Sequence, residues 1–529
     1  MNTTFYKAFL LALTVICPIS LTASGRKAEN INFKSAEKTV LEVFVDGQPL
    51  KVDRYVDNYV KYPNRPQDQL INIYVPENAT KQSPVMFYVN NGGWIANSYP
   101  DCTLVDGNDY DGTYDKIGVA LKEGYVVVSY GCRSRADEPV DGHYLGHSPA
   151  TMTDTKAAIR YLRHNRRFIP AGDVDKIFIT GTSGGGALST VIAASGNSPD
   201  YLPSLYEIGA AGVELDKDGN YWSKPGCGDN VLGVIGYCPI TDLGHACAAY
   251  EWLYGDTRRI MYVTGEMKYP GVDEDSVISA SAALAEDYVE YVDALGLKDN
   301  DGNALTSANL KDYIAGLMIE EIDRTIAELG QEQMLKDIAK KTRRGTRVNN
   351  GWLVFNEDGS YEYDLDKHLY YVAKYTTLKP APAFSNKGLF VTHMNEDSLF
   401  GIADVPYCPF NEYSWNNDKE INGVGKDETL LTWDEYLETE DGKNLALQIK
   451  MTSAIDYLLE GTSDIAPYWY VRHGMDDRDT SFAVEAILFN AVRNNPKITD
   501  SNVGFAWLLH HSGDYDVPEA YSWLQKILK

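Results

Sequence analysis

Short runs of consecutive apolar residues, each closed by glycine, proline or a polar residue, recur along this chain and alternate with stretches whose apolar positions return every three to four residues. The runs at 69–75, 83–89, 125–130, 176–180, 231–237, 466–474 and 503–509 are apolar almost throughout. That is the pattern of strands buried on both faces, as in a parallel sheet. Residues 39–56 instead alternate apolar and polar around Asp46-Gly47, which predicts an antiparallel hairpin. Helical spacing falls between the runs: 153–163, carried by Ala157, Ala158, Ile159, Tyr161 and Leu162, then 187–194, 481–493 and 519–528. Strands alternating with helices predict an α/β fold, a mostly parallel sheet flanked by helices.

The strand rhythm stops between about residues 246 and 449. Residues 276–295 and 312–341 carry helical periodicity, 351–375 are rich in aromatics, and 378–384 are rich in proline. The sheet pattern returns at Ala466. The expected organisation is a leader at 1–24, an N-terminal part of the sheet domain at 25–245, an inserted and mainly helical lid domain at 246–450, and the C-terminal part of the sheet domain at 451–529. An insertion of that length roofs a site and shapes its pocket.

The chemistry starts at Gly181-Thr182-Ser183-Gly184-Gly185-Gly186, between a predicted strand and a predicted helix. Serine on such a turn is exposed, flanking glycines remove clashing side chains, and the helix N-terminus favours developing negative charge. This reads as the nucleophile elbow of an α/β-hydrolase, with Ser183 as nucleophile. The bland alternative is a phosphate-cradling or merely tight glycine turn. A serine nucleophile needs a histidine base and an acid that orients it, in the order Ser, Asp/Glu, His for this fold. Acids follow the run ending at Gly474, and His510-His511 follow the last predicted strand. Asn90-Asn91-Gly92-Gly93-Trp94 follows the strand at 83–89, where esterases carry an oxyanion-hole motif. The expected donors are the amides of Gly92, Gly93 and Gly184. Asn91 stands where histidine is common.

Composition narrows the partners. The chain has 529 residues, 44% of them hydrophobic, and a net charge of −27. It is long enough for a large core and too acidic for nucleic acid or an anionic membrane surface. Lys7 and the apolar run at 8–17, followed by small residues, read as a secretory leader cut near 23–25, which implies a secreted or periplasmic protein. Lipidation at Cys17 is a weaker alternative. No later run is long enough to span a bilayer. The remaining cysteines, Cys102, Cys132, Cys227, Cys238, Cys247 and Cys408, are even in number and permit disulfides without fixing their pairing. None has zinc spacing. The acidic runs at 106–111 and 299–302 read as turns rather than calcium loops. No metal and no cofactor are expected, and spacing says nothing of oligomeric state.

Taken together, several segments resemble the bacterial tannases, α/β-hydrolases with a large lid that hydrolyse galloyl esters. They are Gly131-Cys132-Arg133-Ser134-Arg135, the helix at 154–163, the elbow, Tyr237-Cys238-Pro239-Ile240-Thr241-Asp242, Tyr250-Glu251-Trp252, Lys379 to Phe384, Arg472 to Thr480, and His511-Ser512-Gly513-Asp514-Tyr515-Asp516. The resemblance covers most of the chain after the leader. It implies Ser183, Asp477 and His511 as a catalytic triad. It implies that Asp479, Lys379 and Glu396 bind galloyl hydroxyls, and carboxylates with an ammonium suit such weakly acidic donors. Gly184 departs from the family, where alanine is usual. No cysteine flanks Ser183 or His511, so the disulfide-tethered triad of fungal tannases and related feruloyl esterases is absent.

The expected function is a secreted serine esterase acting on galloyl-type esters through an acyl-enzyme, with a small aromatic ester as its partner. The alternatives are a feruloyl, acetyl-sugar or general carboxylesterase. A peptidase of the prolyl-oligopeptidase kind lacks its preceding propeller repeats here. A non-catalytic binding protein on the same scaffold is disfavoured by an intact Ser, Asp and His.

Overall fold

The computed structural model describes residues 28–96, 104–268, 273–342, 345–385, 396–418 and 424–529. The expected leader, Cys17 and Cys102 lie outside them. Nine strands form the body of the main sheet: β1 (Glu37–Val45), β2 (Gln48–Asn58), β3 (Leu70–Pro76), β4 (Val85–Val89), β5 (Val126–Tyr130), β6 (Ile177–Thr182), β7 (Gly233–Tyr237), β8 (Tyr468–Gly474) and β9 (Asp500–Ala506). Their order is β9-β8-β7-β6-β4-β5-β3-β2-β1, and Asp109–Tyr110 extends the β1 edge. β1, β2, β3 and β5 pair antiparallel in succession. From β5 through β4, β6, β7 and β8 to β9 every pairing is parallel. This is the α/β-hydrolase fold.

The unbroken apolar runs have a direct cause. Successive side chains of a strand point to opposite faces. Val85, Phe87 and Val89 of β4 enter one core and Met86 and Tyr88 the other; Ile177 and Ile179 of β6 oppose Phe178. Both faces are covered. α1 (Ala150–His164) and α2 (Gly184–Ala194) lie on the first face, while the C-terminal helix closes the second with Val517, Ala520, Tyr521 and Leu524.

After β7 the chain leaves the sheet through α3 (Leu243–Val263), α4 (Glu274–Leu295), α5 (Leu310–Leu329), α6 (Gln331–Ile338) and α7 (Leu365–Thr376). Small two-stranded hairpins at 297–305, 341–346 and 353–363 interrupt them. The expected helix at 312–341 is two, because Gly330 takes φ +79° between α5 and α6. Periodicity on both sides hid that break. The boundary expected at residue 246 falls inside α3, which runs on without interruption. α8 (Phe482–Asn494) follows β8, and α9 (Val517–Leu528) ends the chain. The last strand, expected at 503–509, spans Asp500–Ala506: its start is polar, and the chain turns at Trp507-Leu508, where Leu508 has φ +44°.

Among the described residues no helix is long and apolar enough to cross a membrane. Cys227, Cys238, Cys247 and Cys408 are buried free thiols, and Cys132 is buried as well. The acidic runs serve as turns. Asp299 accepts the amides of Asp301 and Asn303, and Asp111 those of Thr113 and Tyr114.

Candidate active site

β6 delivers Ser183 onto a turn with φ +63° and ψ −125°, a backbone region that a non-glycine residue occupies only under constraint. The constraint is local. The Ser183 amide donates to the Tyr237 carbonyl of β7 at 2.9 Å, and α2 begins at the next residue. A Cβ on Gly181 would lie 2.3 Å from the Gly185 carbonyl oxygen, so only glycine lets strand and helix cross this closely.

β8 and β9 pair in parallel with Gly474 opposite Ala506, so the turns that leave them are neighbours. Met475 donates to the Ala506 carbonyl and Asp476 to that of Leu509, both at 2.9 Å. This lacing sets Asp477 beside His511. His511 Nδ1 lies 2.8 Å from Asp477 Oδ2, and His511 Nε2 lies 2.8 Å from Ser183 Oγ. The other Asp477 oxygen accepts the Asp479 amide at 2.8 Å. Ser183, His511 and Asp477 form a continuous relay; the ring of His510 is exposed and outside it.

Electrostatics follow from burial and neighbours. Burial works against a charged His511, but the Asp477 carboxylate outweighs it and holds the imidazole above its ordinary value. Burial likewise opposes charge on Asp477, yet the two histidines beside it, His473 and His511, hold that carboxyl far below its usual range. His473 is itself driven toward its neutral form by burial, so His511 is the partner that matters near neutral pH. Beneath the relay, His473 Nε2 stands 3.7 Å from Asp477 and Nδ1 stands 3.5 Å from Glu485, all fully buried.

The oxyanion loop differs from expectation in one respect. Asn91–Gly92 and Ile95–Ala96 form a short hairpin with Gly93 and Trp94 at its tip, at φ +57° and +58°. A Cβ on Gly184 would lie 2.5 Å from the Trp94 nitrogen, 2.7 Å from Asn91 Oδ1 and 3.2 Å from the Gly93 nitrogen. The amides nearest Gly184 are therefore those of Trp94 and Gly93. Gly92 is exposed and belongs to the hairpin's strand, so the tip is Gly93–Trp94 rather than the expected Gly92–Gly93 pair. The same contacts explain the glycine at 184: with Asn91 folded against it, no side chain fits.

Lys379 and Glu396 come from the inserted region. The Lys379 Nζ sits 3.9 Å over the Phe384 ring. Burial lowers its pKa, opposed by the nearby carboxylates of Glu396 and Asp479. Burial raises the Glu396 pKa, opposed by Lys379 and Arg135. Glu396 is 3% exposed, and its Oε2 has no hydrogen-bond partner among the described residues. Asp479 is held by Arg478 at 2.7 Å and lies 3.8 Å from His511 Nδ1. The three expected binding residues thus share one electrostatic neighbourhood beside the relay. Their segments are pinned by α3. The Tyr250 hydroxyl donates to the Arg478 carbonyl at 2.8 Å and accepts the Lys379 amide at 3.0 Å. Arg258, in a fully buried pair with Glu251 at 2.6 Å, donates to the Lys379 carbonyl at 2.9 Å.

A cavity of about 530 Å³ adjoins the relay, lined by Asp477, Asp479, His510 and His511 and by Arg347, Tyr375 and Asp476. Arg347 binds Asp476 at 2.5 Å, and burial lifts that carboxyl to about 7. Sequence reasoning missed Trp94, Arg135, the His473–Glu485 pair and the pinning role of Tyr250. Arg135 and Tyr250 lie in segments that carried the family resemblance; Glu485 gave no signal.

A strained serine on a strand-to-helix turn, a histidine–aspartate pair after the last two strands and backbone amides facing the elbow define an α/β-hydrolase. The BD-FAE family model matches residues 71–259. Tannin acyl hydrolase from Lactobacillus plantarum is 26% identical, with 94% of this chain and 98% of that one covered at a TM-score of 0.70. Tannase from Fusobacterium nucleatum is 27% identical, covering 95% and 100% at 0.70. A tannin acyl hydrolase in complex with ethyl gallate is 25% identical, covering 94% and 98% at 0.68. No curated protein sequence matches. The chain is a carboxylic ester hydrolase of the α/β-hydrolase fold, similar over nearly its whole length to the bacterial tannases.

Proposed function

We propose that this protein hydrolyses galloyl-type aromatic esters. Ser183 attacks the ester carbonyl while His511 takes its proton, and the amides of Gly184 and of the Gly93–Trp94 tip receive the developing oxyanion. The alcohol leaves with the proton from His511, and an acyl-enzyme remains on Ser183. Water, deprotonated by His511, then releases the acid. Asp477 holds the imidazole tautomer and stabilises its cation. Lys379, Glu396 and Asp479 bind the phenol hydroxyls: the two carboxylates accept their O–H groups and the ammonium donates to a phenol oxygen. The leader at 1–24 directs the chain to the periplasm or the exterior, which fractionation of expressing cells tests.

The observation that carries this reading is the unbroken relay from Ser183 through His511 to Asp477 at 2.8 Å per step, beside a buried carboxylate with an oxygen unpartnered among the described residues. Solved relatives in complex with ethyl gallate and with 3,4-dihydroxybenzoate support the choice of acyl group. The test is a parallel assay of methyl gallate, methyl ferulate and p-nitrophenyl acetate. Preference for methyl gallate in kcat/KM is expected. Equal or better turnover of the ferulate or acetate ester rejects the galloyl reading.

A further inference from the structure

The tip of the oxyanion loop is an unstable object by itself. Trp94 holds φ +58° without being glycine, and it follows a residue that is also left-handed. Such a conformation persists only where surrounding contacts over-determine it. Two contacts do so. The Trp94 indole donates to the Ile240 carbonyl at 2.9 Å. The Arg135 guanidinium donates twice to the Gly93 carbonyl, from Nε at 2.9 Å and from Nη2 at 2.8 Å. In a planar trans peptide the carbonyl and the following N–H point in opposite directions. Fixing the Gly93 oxygen therefore fixes the Trp94 N–H, the donor packed nearest Gly184. Ser134, next to Arg135, accepts the Ala96 amide on the returning strand at 3.1 Å, so one turn grips both tip and stem.

The remaining arm of Arg135 reaches the inserted region. Its Nη1 donates to Ser398 Oγ at 2.8 Å across a sequence separation of 263 residues. Ser398 lies in the single 3₁₀ turn Glu396–Leu399, which also carries Glu396. The fields of Glu396 and Asp397 oppose the loss of Arg135's charge that burial promotes. A planar fork with several fixed donors suits this double task, which a lysine ammonium meets only in part.

We propose that Arg135 is a positioning residue: it sets the oxyanion loop through the Gly93 carbonyl and couples that loop to the aryl-binding turn at Glu396. The coupling half rests on the galloyl reading above; the positioning half does not. If the aryl ring engages Glu396, the same turn holds the Arg135 fork in place, so recognition of the acyl group and stabilisation of the oxyanion are mechanically joined.

The experiment compares Arg135→Gln, Arg135→Lys and Ser398→Ala with the parent protein, on methyl gallate and on p-nitrophenyl acetate, resolving kcat from KM. Arg135→Gln should lower kcat on both esters by roughly 10²-fold, the scale of losing an oxyanion donor, with KM changed far less. Arg135→Lys should recover part of that loss. Ser398→Ala should spare the acetate ester and lower kcat on the gallate. If Arg135→Gln leaves acetate turnover intact and raises only the KM for gallate, Arg135 is a wall of the aryl pocket and the proposal fails. If Arg135→Gln does not fold, Arg135→Lys decides: unchanged kcat on both esters rejects the proposal. Should the parent protein ignore methyl gallate, the galloyl reading and the coupling fall, while the acetate arm still decides the positioning role.

Discussion

Ser183, Asp477 and His511 sit on turns that leave strands of a single sheet, and each is fixed within a few residues of its strand end. Lys379 and Glu396 sit instead on irregular segments held from a distance, by Tyr250 and Arg258 of α3 and by Arg135. In the first region hydrogen bonds saturate the side chains: both Asp477 oxygens are used, and both His511 nitrogens. In the second, Glu396 is buried with an oxygen unpartnered among the described residues. A saturated group is poised to transmit a proton. An unsaturated buried one costs free energy until a ligand supplies the missing donor. On the proposed reading the strand-end turns carry reactivity, while the insertion together with Asp479 carries recognition, and substitutions should separate the two.

The largest effect belongs to the sheet. Ser183→Ala should lower kcat by about 10⁴-fold or more on every ester while the melting temperature stays near that of the parent. His511→Ala should fall in the same range and His510→Ala should keep most activity; a reversed ranking breaks the assignment of the base. Next comes the α3 pin. Arg258→Met leaves Glu251 buried without its cation and should cost about 3–5 kcal/mol in urea unfolding. An effect under about 1 kcal/mol would make the pin a bystander.

On the recognition side, Asp479→Ala and Glu396→Gln should each weaken methyl gallate hydrolysis by about 1.5–3 kcal/mol in kcat/KM and leave p-nitrophenyl acetate nearly unchanged. Equal losses on both esters erase the division between regions. Gly184→Ala tests their seam. A Cβ there lies 2.5 Å from the Trp94 nitrogen, so the oxyanion tip must move, and kcat should drop about ten-fold on both esters, or roughly 1.4 kcal/mol. The smallest effect is in pH. His511 must be neutral to accept the serine proton, and its pKa is raised by Asp477. Activity should therefore be lost on acidification at a pH above the ordinary imidazole value of about 6.5. A limb in kcat/KM at or below that value contradicts the charge balance found here.

The same division governs what was legible in the sequence. Ser183, Asp477 and His511 each follow an apolar run, and a run ending at glycine or histidine marks a strand end without any tertiary knowledge. Lys379 and Glu396 carry no such local mark and were accessible only through resemblance to a family. The hairpin tip at Gly93–Trp94 was not legible, because two glycines in sequence do not say where a hairpin turns. The bond from Arg135 to Ser398 was invisible for a simpler reason: nothing local relates residues 263 positions apart. Gly330 escaped as a helix break because both flanking segments keep helical spacing.

Helix α3 has a consequence for exchanging parts between relatives. Its first turns abut the acid loop, with Ala249 accepting the Ser481 hydroxyl at 2.8 Å, and its middle holds the lysine segment. Grafting a foreign lid at residue 246 would sever the helix from the strand that precedes it and replace Tyr250, Glu251 and Arg258 together. A splice after Val263 and before Leu378 would leave those anchors native, so the transplantable unit is smaller than the insertion that the strand rhythm outlines.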